Sequence, residues 1–136
     1  MNPVEQLVLE YLCRAPFVFA NPQYSIKNQM GQEWSCPDFV TLNFREKIVS
    51  VVEVSVAASE TTLLKRLLEC ETHWLQPLKV QLAKDSMVTS GWSYQLEIFA
   101  RRAVCEKLRQ EFRSEVKAEF RNLEDLGFYW QWDWPF

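Results

Sequence analysis

Apolar positions along the chain change their period several times, and each change predicts a new element. Val4, Leu7, Val8, Tyr11 and Leu12 recur at helical spacing, so residues 2–13 read as a helix. Asn2 can cap it, Pro3 suits its first turn, and Glu5 completes a capping-box pattern. Pro16 and Pro22 bracket a segment that reads as irregular, and QYSIKN at 23–28 reads as a first strand. The polar run from Gln29 to Glu33, with Gly31, is a turn. CPDFVTLNF and KIVSVVEVSVA then predict two strands, the second dense in β-branched residues, with Arg45, Glu46 and Lys47 at the turn between them.

Ser59 or Thr61 opens a second helix, in which Leu64, Leu67, Leu68, Glu71, Trp74 or Leu75, and Leu78 keep helical spacing. Pro77 must kink or end it. The alternation Leu78, Val80, Leu82 fits a helix continuation or a short strand, and is read as helix. Residues 85–93 read as a loop, YQLEIFA as a strand, 102–125 as one long charged helix, and 126–136 as an aromatic tail. The order is helix, three strands, helix, strand, helix. It predicts a single α/β domain over residues 1–136, with a mixed central sheet and helices on its faces.

The stretch PDFVTLNFREKIVSVVEVSVA carries the candidate chemistry. A tight turn near Arg45–Lys47 folds its strands into a hairpin, and counting back from the turn puts Asp38 opposite Glu53 to within one residue. Two carboxylates that close repel each other, so either one keeps a proton or a cation sits between them. Glu53 lies inside VVEVSVA, apolar on both faces, where an unpaired acid is costly to bury. Residues two apart on a strand share a face, so Glu53 and Ser55 point the same way. Magnesium and manganese favour such oxygen ligands and keep waters for substrate.

These residues resemble the PD-(D/E)XK, or restriction-endonuclease-like, nuclease superfamily, whose shared core is a helix, three strands, a helix and a strand. The resemblance covers roughly residues 2–101. It implies that Asp38 of Pro37-Asp38 is the first motif acid and Glu53 the second. Branches that act in very-short-patch repair or at transposon ends add a glutamate on the first helix and a glutamine opening the first strand. Glu5 and Gln23 fall at those places. The resemblance thus implies a magnesium or manganese ion held by Glu5, Asp38 and Glu53, and DNA as the partner. The departure is Ser55, which stands where the family has a lysine that orients the attacking water. Lys65 on the second helix is a candidate replacement, and Lys27 on the first strand a poorer one.

Charge and composition qualify this picture. The net charge of −3 argues against broad, sequence-independent binding to nucleic acid but not against a local basic groove. Cys13, Cys36, Cys70 and Cys105 form no Cys-x-x-Cys pair, and the one histidine, His73, cannot complete a zinc site with them. No apolar stretch approaches the ~20 residues of a membrane span, and the acidic N-terminal stretch does not read as a signal peptide, so a cytoplasmic, intracellular setting is expected. On the last helix Arg109, Arg113, Lys117 and Arg121 recur every four residues as a basic ridge, which reads as a solvated face or a partner contact. Phe128, Tyr129, Trp130, Trp132, Trp134 and Phe136 must fold back on the domain or dock on a protein partner or a second copy of the chain. Two readings stay open: a metal-dependent DNA endonuclease, and a catalytically inactive scaffold that binds a protein or nucleic acid partner as a subunit or inhibitor.

Overall fold

A computed structural model describes residues 1–85 and 88–135; part of the loop expected over 85–93, and Phe136 of the aromatic tail, lie outside the described residues. The first helix, α1 (Pro3–Leu12), starts as its capping box dictates. The Glu5 amide donates to Asn2 Oδ1 at 2.8 Å, and the Asn2 amide donates back to Glu5 Oε2 at 3.4 Å. It buries Val8, Tyr11 and Leu12.

The first strand differs from the expectation. It is β1 (Val18–Pro22), inside the segment read as irregular, and it pairs antiparallel with β4 (Phe39–Asn43) from Val18↔Asn43 to Pro22↔Phe39. Pro22 is tolerated because β1 is an edge strand, where one side of the backbone has no ladder to serve. The segment 23–28 yields only β2 (Ile26–Lys27), which pairs with β3 (Glu33–Ser35) in a separate small hairpin. Asn28 Oδ1 holds its turn by accepting from the Met30 and Gln32 amides, while Gly31 takes the positive φ of 77°.

β4 and β5 (Ile48–Val54) form the expected hairpin; Asn43 Oδ1 caps its turn by accepting from the Arg45 and Glu46 amides. β6 (Ser93–Ala100) lies parallel to β5, and β7 (Ala118–Asn122) parallel to β6, so the mixed sheet runs β1-β4-β5-β6-β7 among the described residues. Val40, Val49, Val51, Leu96 and Ile98 face one core, beneath the helices that follow β5 and β6. Phe39, Val52 and Phe99 face the other, beneath α1.

The second helix continues past Pro77 as expected, to residue 84, but is not regular. It comprises α2 (Thr61–Leu68), a π-helical turn (Glu71–Leu75) and α3 (Gln76–Lys84). Pro77 explains the irregularity. It has no N–H to give the His73 carbonyl, and the Gln76 amide reaches back five residues to Glu71, which skips Thr72. The two orphaned carbonyls are taken by the β3 hairpin: Trp34 Nε1 donates to the Thr72 oxygen at 3.1 Å, and Ser35 Oγ to the His73 oxygen at 2.8 Å. A proline in one element is thereby matched by donors in another.

The long charged helix expected over 102–125 is replaced by α4 (Arg102–Glu111), a turn, β7, and the short α5 (Leu123–Leu126). Phe112 is extended, with φ −79° and ψ 105°, and Ser114 Oγ accepts from the Val116 amide, a local bond that competes with helix. Pairing with β6 then decides the outcome, because it completes a parallel β-α-β unit and seats Arg121 against Glu97. The basic ridge is dissolved: Arg109 donates to the Phe120 carbonyl and Arg121 is half-buried, so no C-terminal helix offers that ridge to a partner.

Candidate functional site

The candidate residues meet at one end of the sheet. Continuing the β4–β5 register from Phe39↔Val52 sets Asp38 directly opposite Glu53. Continuing β1–β4 from Pro22↔Phe39 sets Gln23 opposite Asp38. The row is held by backbone bonds. Asp38 Oδ2 accepts from the Val54 amide at 2.7 Å, and the Gln23 amide donates to the Asp38 carbonyl at 2.7 Å. Gln23 has a φ of 50° and its side chain is exposed, so it closes β1 rather than opening a strand.

Glu53 is only 6% exposed. Burial, and then the Asp38 charge, push its carboxyl up to about 8, against the pull of Arg66. Asp38 is also raised, chiefly by burial; the Val54 N–H opposes this and the charge of Glu5 adds to it. Both shifts run in the direction that favours a proton kept on the pair, as expected of two close acids withdrawn from water. Arg66 Nη1 lies 3.3 Å from Glu53 Oε2.

The remaining expected residues fare differently. Glu5 is near enough to raise Asp38, yet its carboxylate serves the α1 cap, and among the described residues no three His, Cys, Asp or Glu side chains converge to hold a metal. Ser55 sits just past β5, with its amide on the Phe99 carbonyl and its Oγ accepting from the Ala57 amide at 3.3 Å. Lys65 is exposed and makes no ion pair among the described residues, and Lys27 lies on the small hairpin. The cation that reaches the acids is Arg66. The helical wheel could have found it. With Leu63, Leu67 and Cys70 buried, at 100° per residue Arg66 lies roughly 70° from the centre of that stripe and Lys65 roughly 170° away.

A second charged cluster lies on the opposite face of the sheet. Buried Glu97 takes Arg121 Nε at 2.9 Å, and Arg121 Nη2 also reaches Glu119 at 2.6 Å. Beside them the Tyr11 hydroxyl donates to Asp133 Oδ1 at 2.7 Å and Arg14 pairs with the same oxygen at 3.0 Å. Trp132 packs edge-on against Tyr11, so this part of the aromatic tail folds back onto α1, while Phe128, Tyr129 and Trp130 stay largely exposed. His73 rests its ring on Trp74 and its pKa is lowered, first by burial.

The main site is a close carboxylate pair with one arginine, at the end of a mixed α/β sheet. Each acid is anchored through one oxygen, Asp38 Oδ2 on the Val54 amide and Glu53 Oε2 on Arg66. No family model matches the chain, and no curated protein is significantly similar to it. No helix among the described residues is long and apolar enough to cross a membrane.

Proposed function

We propose that the chain is a nuclease-fold protein of the restriction-endonuclease-like class that works on DNA in the cytoplasm, with Asp38 and Glu53 as the hydrolytic pair. The fold assignment is supported by the order of elements: a helix, three antiparallel strands, a helical layer and a parallel strand, with α4 and β7 added. The observation that carries the functional reading is the placement of Asp38 opposite Glu53, with the Glu53 carboxyl raised to about 8. Asp38 and Glu53 would hold a magnesium or manganese ion. Such an ion lowers the pKa of a bound water and stabilises charge on a phosphate. Arg66 supplies the nearest fixed positive charge and would face the phosphate in place of the absent lysine. Ser55, on the same face as Glu53, offers a hydroxyl to orient water but no charge.

A second reading is favoured by Ser55 and by the Arg66–Glu53 pair, which already offsets the charge a metal would neutralise. In it the scaffold binds a partner without hydrolysis. Manganese separates the two. If the site works, millimolar manganese raises the melting temperature by preferential binding to the native state, Asp38→Asn abolishes the shift, and Glu53→Gln abolishes plasmid nicking. Wild-type protein indifferent to manganese refutes the catalytic reading, and nicking that persists in Glu53→Gln places the activity elsewhere.

A further inference from the structure

We propose that the groove between the β2–β3 hairpin and α3 binds an unpaired nucleobase with its phosphates, supplied by a single-stranded segment of DNA. This rests on the nucleic-acid part of the reading above, but not on catalysis. The groove has a volume of about 610 Å3, within the range of ligand pockets. Lys27, Asn28, Trp34, Gln76, Val80 and Lys84 are among the residues that line it, and no acidic side chain among the described residues does so. In a chain with 18 acids against 15 bases, that is a local reversal of sign.

Both lysines are exposed and make no ion pair among the described residues, so they are free to meet phosphate. Of the flanking acids, Glu33 is engaged by Ser25 Oγ at 2.7 Å, and Glu71 meets the groove only through the lining residue Gln76, whose Nε2 donates to it at 3.4 Å. Trp34 is 50% exposed, yet its indole N–H is fixed on the Thr72 carbonyl, which leaves a rigid aromatic surface for stacking. Gln81 locks the wall, accepting from the Lys27 amide at 2.7 Å and donating to the Ser25 carbonyl at 3.0 Å. Such preorganisation reduces the ordering entropy lost on binding. Duplex bases hide their faces in the stack, so the occupant must be unpaired. The hairpin runs through Cys36 and Pro37 into Asp38, and Glu53 shares the sheet face of Val49 and Val51 that α2 and α3 cover. The groove and the acid pair therefore belong to the same side of the molecule.

The test is fluorescence anisotropy with a labelled 12-mer of thymidylate in EDTA, over 50–200 mM salt. The wild type should bind it more tightly than a 12-base-pair duplex. Lys27→Ala/Lys84→Ala should lower the slope of log affinity against log salt by about 1.4, at ~0.7 per phosphate. Trp34→Ala should weaken binding at least about fivefold, and Trp34→Phe, which keeps a ring, should not. An unchanged salt slope in the double lysine variant, or equal affinity for the duplex, overturns the proposal. Competition by free thymidine monophosphate at the same concentration as the 12-mer overturns the strand in favour of a free nucleotide. Binding that survives a failed manganese test sinks only the catalytic reading.

Discussion

Glu53→Gln keeps the shape of a buried side chain and removes its charge, which makes it a direct probe of the acid pair. The Glu53 carboxyl is raised from 4.5 to about 8, first by burial and then by Asp38. An acid with a higher pKa in the folded state keeps its proton longer there than in the unfolded chain. The native state thus binds more protons between pH ~4.5 and ~8, and stability falls as pH rises through that window. At 1.36 kcal/mol per pH unit, the Glu53 share of that loss between pH 5 and 8 is on the order of 3 kcal/mol. For a chain of this length that corresponds to about 10 °C in melting temperature. The assay is urea unfolding followed by tryptophan fluorescence at pH 5, 6, 7 and 8, in EDTA, for both proteins. Their stabilities should nearly coincide at pH 5 and diverge by that amount at pH 8, with Glu53→Gln the more stable. Glu97, also raised by burial, and His73, lowered by burial, add slopes of opposite sign, but both are present in the two proteins and cancel in the difference. Parallel stability curves, or a wild type that gains on the variant as pH rises, would show that Glu53 is not held as a protonated acid.

Two further perturbations probe the opposite face of the sheet. Arg121→Ala leaves Glu97 buried without its ion pair and should cost about 3 kcal/mol in urea unfolding at pH 7, whereas a loss below about 1 kcal/mol would mean that water already serves Glu97. Deleting residues 128–136 removes the Trp132–Tyr11 contact and the bonds of Asp133 to Tyr11 and Arg14, and should destabilise the domain by about 2 kcal/mol. A tail that is clipped at once by protease, leaving a core of unchanged melting temperature, would refute that structural role.

The hairpin carrying Asp38 and Glu53 was legible because its local signals agree: β-branched residues in both arms, a polar turn, and an acid inside an apolar run. β1 was not, because two prolines argue against a strand unless the strand is known to be an edge, and that is a property of the sheet. The segment 112–122 misled for a different reason. Its four-residue charge spacing is as good as that of a real helix, and only the partner strand β6, from another part of the chain, converts it to β7. Arg66 differs in residue type from the lysine that the resemblance implies, although its position beside the buried stripe of α2 was readable. Glu97 carried the signal that singled out Glu53, an acid within an apolar strand, but its partner lies 24 residues away on an element that could not be read as a strand.

Glu53 and Glu97 form a controlled comparison within one sheet. They sit on neighbouring strands, with Val52 paired to Glu97 and Glu53 to Ile98, so they point to opposite faces. Both are buried, and burial raises both. Glu97 receives a short bond at 2.9 Å from Arg121, whose other arm is spent on Glu119, and the arginine is itself half-buried between them. That arrangement is saturated, as an ion pair in a structural role should be. Glu53 has a longer contact of 3.3 Å from an arginine about half exposed, and a second acid directly opposite. Two carboxylates and one arginine do not balance when both acids ionise. The residual charge must be met by a proton, at a cost in stability that grows with pH, or by a further cation. On the Glu97 side Lys117 also pairs with Glu119 at 3.6 Å and Arg14 with Asp133 at 3.0 Å, so three carboxylates meet three cations. What distinguishes a candidate site from a structural ion pair here is therefore not the presence of buried acids and an arginine but the charge left unmet among them.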